Sequence, residues 1–193
     1  MLHKSFFQEF KRSIDLIDMF KLNKLILEIN KISKKKGRIF FLGVGGSAGN
    51  SSHAVNDFRK ICNIECYAPS DNISELTART NDDGFENIFS DYLKCSHLSK
   101  DDAIFILSVG GGNIKLNVSV NLIKAIKFAK RKKAKIFSIV GKNNGYAFKN
   151  SDVSIFVNVK NKKLITPISE AMQAVIWHYL VSHKKLQKNN TKW

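Results

Sequence analysis

The sequence predicts one α/β domain: a doubly wound, five-stranded parallel sheet flanked by helices, with an extra helix at the N-terminus. Three observations carry this expectation. Short apolar runs alternate with longer stretches of helical periodicity. The runs lack polar alternation, as expected of strands covered on both faces. Two of them end in glycine-rich loops that lead into helices. A chain of 193 residues suits one domain better than two. Residues 1–193 are therefore read as a single unit. In it, 1–36 form the helix for oligomer packing, 37–187 the α/β core and 188–193 a tail.

The elements follow in order. Phe6, Phe7, Phe10, Ile14, Ile17, Phe20, Leu25, Leu27 and Ile32 recur at helical spacing, and Gly37 stops them. One long helix is expected there, and its aromatics mark it as part of an oligomer interface. Ile39–Leu42 is the first strand, followed by a helix over 47–61 and a short strand over 64–68 cut by Pro69. A helix enters near Glu75 and another covers 84–95. Asp101 and Asp102 lead into the strongest strand, Ala103–Ser108. A helix over 114–132, a strand over 135–140 and a strand over 153–157 complete the pattern. Thr166 can cap the last helix with Pro167 at its first position, and that helix runs to Leu186. The Lys- and Asn-rich tail after His183 reads as frayed.

Composition narrows the classes. Hydrophobic residues at 44% and charged residues at 25% exclude a disordered chain, a fibrous repeat and a disulfide mini-protein. The longest apolar run, 103–107, falls far short of the roughly 20 residues that span a bilayer. No apolar segment follows the start, so no signal peptide is expected. The three cysteines, Cys62, Cys66 and Cys95, are expected to be reduced packing thiols in a cytoplasmic protein. The balance of 32 basic against 16 acidic residues gives +16. That charge suits nucleic acid, a membrane surface or phosphorylated small substrates. The bases cluster at 34–36, 130–135 and 160–163, at helix ends and in loops, with no arginine-rich arm or basic–aromatic ladder. Nucleic acid is therefore disfavoured as a partner.

Two loops at equivalent strand ends bare backbone N–H groups toward the carboxyl edge of the sheet. The first is Gly43-Val44-Gly45-Gly46-Ser47-Ala48 and the second Ser108-Val109-Gly110-Gly111-Gly112-Asn113. Glycine lets an anion approach a helix N-terminus closely, and Ser47, Ser108 and Asn113 can add polar groups. In a basic chain the pair points to a phosphate ligand. The first loop also fits a dinucleotide fingerprint, but the next strand carries no acidic residue at its tip. His53 and Asp57, four residues apart, share a helix face near this end of the sheet. Glu170 and His178 on the last helix complete a set of two imidazoles and two carboxylates, a plausible shell for zinc or another divalent ion. The spacing of Glu170 and His178 is awkward, since eight residues are about 12 Å of rise and about 80° of rotation. Gln173 is a possible substitute.

Taken together, these segments resemble a sugar isomerase (SIS) domain, most closely the phosphoheptose isomerases. The resemblance rests on Gly43-Val44-Gly45-Gly46-Ser47, His53, Thr80-Asn81-Asp82-Asp83-Gly84-Phe85, Ser108-Val109-Gly110-Gly111-Gly112-Asn113 and Glu170…His178. It implies a homotetramer with active sites between subunits, zinc in many members, and conversion of sedoheptulose 7-phosphate to D-glycero-D-manno-heptose 7-phosphate for heptose and surface-polysaccharide biosynthesis. By position, His53 and His178 match metal-binding histidines. Asp57 stands where a catalytic, metal-binding glutamate is usual, and Glu170 where a metal-binding glutamine is usual. Val44 replaces an asparagine of the first loop. Val109 and Gly110 replace hydroxyl residues of the second, and Asn113 its last serine. Asp82 matches a substrate-contacting aspartate.

The expected site therefore has Asp57, Glu170 and His178 as catalytic groups, with His53, Asp57, Glu170 and His178 as metal ligands. Gly45, Gly46, Ser47, Asp82, Ser108, Gly110, Gly111 and Asn113 would bind the phosphorylated sugar. An enediol mechanism needs a base near carbon and an acid near oxygen. The alternatives from the same resemblance are a non-catalytic SIS module, which binds a sugar phosphate or a protein partner, and an isomerase for another sugar phosphate.

Overall fold

The structure, a computed structural model, describes residues 2–190. Five parallel strands are present: β1 (Ile39–Leu42), β2 (Cys66–Tyr67), β3 (Ala103–Ser108), β4 (Lys135–Val140) and β5 (Val153–Phe156). They lie in the order β2-β1-β3-β4-β5, which is the expected doubly wound sheet. The helices are α1 (Leu2–Asp15), α2 (Met19–Lys34), α3 (Gly46–Cys62), α4 (Ile73–Asp83), α5 (Ile88–Cys95), α6 (Val120–Arg131), α7 (Tyr146–Asn150) and α8 (Ile165–Val181). Among the described residues no helix is long and apolar enough to cross a membrane.

Alternate strand residues feed two cores. Phe41, Phe105 and Phe137 meet on one face, with ring centroids 5.1 and 6.0 Å apart, and pack against α2, α3 and α8. Phe40, Leu42, Ile104 and Ile106 face α5 and α6 on the other side. Phe40 and Phe41 lie opposite Ile104 and Phe105 in the β1–β3 pairing. Both faces are covered, so β1 and most of β3 read as continuous apolar runs, and the buried serines of β4 and β5, Ser138 and Ser154, pair with each other at 2.7 Å.

Several boundaries differ from expectation. The N-terminal pattern is two helices. Asp18 ends the first run and caps α2, its Oδ1 accepting the Lys21 N–H at 3.0 Å. Apolar periodicity continues across the break and hides it. The expected helix over 114–132 starts only at Val120, because residues 113–118 form a turn closed by reciprocal Asn113–Val118 backbone bonds of 2.9 and 3.1 Å. The helix over 84–95 shortens to α5. A short 3-10 turn, Lys162–Leu164, precedes α8, whose cap is Leu164. Thr166 and Pro167 are thus its second and third residues, where proline's missing N–H leaves no helical bond unmade. The last helix ends at Val181, short of Leu186.

The tail is fastened rather than frayed as far as it is described. Leu186 is buried, and the Lys188 and Asn189 N–H groups donate to the Ile61 carbonyl at 2.9 and 3.0 Å. Residues 191–193 lie outside the described residues. Cys62 and Cys66 are buried, as expected of packing thiols, whereas Cys95 is exposed. Burial pushes the Cys62 thiol up to about 12.

Asp102 joins β1 to β3. Its carboxylate accepts from the Arg38 N–H at 2.9 Å, from Arg38 Nε and Nη2 at 3.1 and 2.8 Å, and from Ser99 N and Oγ at 2.8 and 3.0 Å. Burial disfavours its charge. The hydrogen bonds from Arg38 and Ser99 outweigh that and hold the carboxyl below the usual range. Asp102→Ala removes the acceptor shared by Arg38 and Ser99, leaving the Arg38 guanidinium only the Ser96 and His97 carbonyls, and it is expected to cost about 3 kcal/mol in urea denaturation. In the wild type the contribution is complete above the unfolded carboxyl value of about 3.9, and it is lost as pH falls through the lower folded value.

Candidate active site

The strand order reverses between β1 and β3, and both glycine loops follow these strands. They flank the crevice where doubly wound sheets bind ligands. In the first loop Gly45, with φ +63°, and Gly46 are exposed. Ser47 is buried and turned toward α8, its Oγ accepting from Gln173 Nε2 at 3.1 Å. Gln173 Oε1 in turn accepts from Asn50 Nδ2 at 2.8 Å. This chain of amides locks the start of α3 to α8. In the second loop the buried Ser108 Oγ accepts the Gly111 N–H at 3.0 Å. Gly111 and Gly112 have φ of +69° and +84°, a conformation that favours glycine. Their carbonyls accept the Ala147 and Tyr146 N–H groups of α7 at 2.8 and 2.9 Å. Asn113 is exposed and its Oδ1 accepts the Leu116 N–H at 3.1 Å.

A cleft of about 550 Å³ opens between the first loop and the head of α6. Val44, Phe85, Ser119, Asn121 and Lys124 line it. Ser119 caps α6 with φ +51° and makes no side-chain cap bond. Placing the helix start at residue 114 hid these three α6-end residues. Ser119, a residue type that favours helix N-caps, directly before Val120 was the available signal. Asp82, by contrast, is exposed on α4, held by Asn81 Nδ2 at 2.8 Å, and is not among the residues lining the cleft.

On α3 and α8, three of the four expected ligands converge. Ligand atoms of His53, Asp57 and His178 lie within 4.8 Å of one another. Asp57 Oδ2 is 3.5 Å from His53 Nε2 and 3.3 Å from His178 Nε2. It also accepts from Trp177 Nε1 at 3.1 Å, while Asp57 Oδ1 accepts from Asn56 Nδ2 at 3.1 Å. Asp57 is buried and both imidazoles are about half exposed, so the group faces a surface with an ordered floor. The set of two imidazoles and one carboxylate fits a divalent ion such as zinc, with an outer hydrogen bond orienting the carboxylate. Glu170 is not in this group. Its carboxylate lies on Gly46, where an added Cβ would come 2.6 Å from Oε2. Eight residues along α8 set it away from His178, as the rise per residue requires.

No family model matches the chain. Among curated proteins it is 29% identical over 140 residues to a phosphoheptose isomerase of Buchnera aphidicola, covering 70% of this chain and 69% of that one. It is 28% identical over 154 residues to a lincomycin biosynthesis protein of Streptomyces lincolnensis, covering 76% of this chain. That match spans only 56% of the Streptomyces protein. A phosphoheptose isomerase structure from Francisella tularensis superposes with a TM-score of 0.79 at 18% identity, covering 93% of this chain and 92% of that one. One from Neisseria gonorrhoeae gives 0.78 at 19% identity, with 93% of each chain covered. The fold is that of the phosphoheptose isomerases. Within that fold, two groups of side chains in this chain are candidates for ligand contact: the His53–Asp57–His178 group and the cleft at the head of α6.

Proposed function

We propose that the chain is an aldose–ketose isomerase that interconverts sedoheptulose 7-phosphate and D-glycero-D-manno-heptose 7-phosphate in the cytoplasm, supplying a heptose phosphate for surface-polysaccharide synthesis. The observation that carries this reading is the convergence of His53, Asp57 and His178 on α3 and α8, in a sheet whose reversal point is flanked by two glycine loops. The phosphoheptose isomerase relatives supply the substrate class.

His53, Asp57 and His178 would hold zinc, which supplies polarisation of the sugar's carbonyl and hydroxyl oxygens. Trp177 Nε1 fixes the Asp57 carboxylate between the two imidazoles, which suits a ligand and hinders a mobile base. Glu170 lies outside the group, over the first loop, and is free to take the proton from C1 of the ketose and return it to C2. His178, expected also as a proton relay, would act in this arrangement as a ligand of the ion. At the other end of the sugar the phosphate meets the head of α6, where first-turn N–H groups lack helical partners. Ser119 serves there in the role expected of Asn113 and Ser47, whose polar groups are engaged within the protein.

The chain also presents surface suited to a homotetramer. Helix α4 buries no residue within its own chain, and Phe7, Phe20 and Ile73 are 69%, 80% and 66% exposed. Light scattering is expected to give four times the chain mass, and a monomer at micromolar concentration contradicts this assembly. The function itself is tested on a panel of five-, six- and seven-carbon ketose phosphates, with zinc and with chelator. Turnover should be highest on the seven-carbon substrate and lost in chelator.

A further inference from the structure

The cleft at the head of α6 contains two side chains with no part in proton transfer. Asn121 is 1% exposed. Its Oδ1 accepts the Leu122 N–H at 2.8 Å, but its Nδ2 has no partner among the described residues although it belongs to a residue lining the cleft. The atom lies beneath the cleft wall, out of contact with solvent, so a ligand acceptor would satisfy it once the side chain turns toward the cleft. One turn further along, Lys124 Nζ donates to Asn87 Oδ1 at 2.7 Å and stands 3.7 Å from Glu86 Oε1. Glu86 and Asn87 belong to the turn between α4 and α5, which begins at Gly84 with φ +84°. The second glycine loop has no side-chain donor at Val109 or Gly110. The polar and cationic side chains that line this cleft are Asn117 and Ser119 ahead of the helix and Asn121 and Lys124 on it, and Lys124 is the cation among them.

We propose that Lys124 is a specificity-determining residue that selects phosphorylated over unphosphorylated sugars, with Asn121 Nδ2 as its neighbouring donor and Glu86 as an internal competitor for its charge. The proposal rests on the isomerase reading and names the residue that reads the phosphate. Without ligand, Glu86 and Asn87 hold the ammonium. A phosphate monoester at the α6 N-terminus carries more charge than Glu86 and is also met by the helix dipole and by Asn121, so Lys124 transfers to it. The exchange involves a partly exposed pair on a surface turn, which is weakly held.

The test uses three variants of the full chain, with inorganic phosphate as a competitive inhibitor beside the seven-carbon substrate. Lys124→Met should raise both KM and the phosphate inhibition constant by roughly 10- to 100-fold, the size of one lost charge-assisted hydrogen bond, with kcat little changed. Lys124→Arg should recover most of that loss. Glu86→Gln should move phosphate binding the opposite way, tightening it by a few fold, which a merely structural role for Lys124 does not produce. Unchanged KM and phosphate inhibition in Lys124→Met, with an active wild type, overturn the assignment of Lys124. A wild type that neither turns over any sugar phosphate nor is bound by phosphate overturns the isomerase reading instead.

Discussion

Asp57→Asn is expected to remove most bound zinc and to lower kcat/KM by roughly 10²–10⁴, the cost of losing an essential charged group from a proton-transfer site. The carboxylate is the hub of the group. One of its oxygens lies 3.3 and 3.5 Å from the two imidazoles and accepts from Trp177 as well. An amide keeps the shape and can still accept from the indole. It removes the negative charge that two imidazoles and a cation require, so the loss appears as metal content and turnover rather than as unfolding. His53→Ala and His178→Ala should act in the same direction. Both side chains are about half exposed, and their removal leaves the core intact. Metal analysis and turnover on the same preparations check the point. Full activity in metal-free protein removes zinc from the mechanism.

Glu170→Gln is the second large effect and should separate the two carboxylates. The variant is expected to retain zinc and sugar binding but to lose the rate of carbon-bound proton exchange by about 10²–10⁴. Glu170 is outside the His53–Asp57–His178 group and lies over Gly46 at the head of α3. Its charge is therefore not committed to a metal. The resemblance to the phosphoheptose isomerases cuts the other way, since a glutamine is usual at that position and a glutamate at that of Asp57. Normal exchange in Glu170→Gln, together with an Asp57→Asn that binds zinc but does not exchange, reverses the two roles.

The sheet was legible because its strands have one physical environment. Phe40 and Phe41 face opposite cores, both fully buried, so nothing interrupts the apolar run. His53 and Asp57 were legible as a pair because four residues on a helix guarantee a shared face. Their meeting with His178 depends on how α8 crosses α3, a long-range fact that spacing does not contain. The resemblance supplied it. Glu170 was grouped with His178 as a ligand-type residue on the same helix despite an awkward spacing, and that separation along α8 leaves its carboxylate on the first loop. The α6 cleft was invisible for a different reason. Ile114, Leu116 and Val118 are 58%, 70% and 51% exposed on a turn, yet they extend the apolar pattern of the helix that follows. That moved the helix start away from Ser119 and made Asn121 and Lys124 look like mid-helix residues. The break at Asp18 was hidden in the same way, by periodicity that runs through a cap.

The most direct measurement is isomerisation of sedoheptulose 7-phosphate in deuterated water, followed by NMR with zinc present and after chelation. The account predicts formation of the aldose phosphate with solvent deuterium appearing at its C2, as proton transfer through an enediol with an exchanging base requires, and loss of both signals in chelator. Absence of any aldose with zinc present, in protein shown to be folded and to hold the metal, contradicts it.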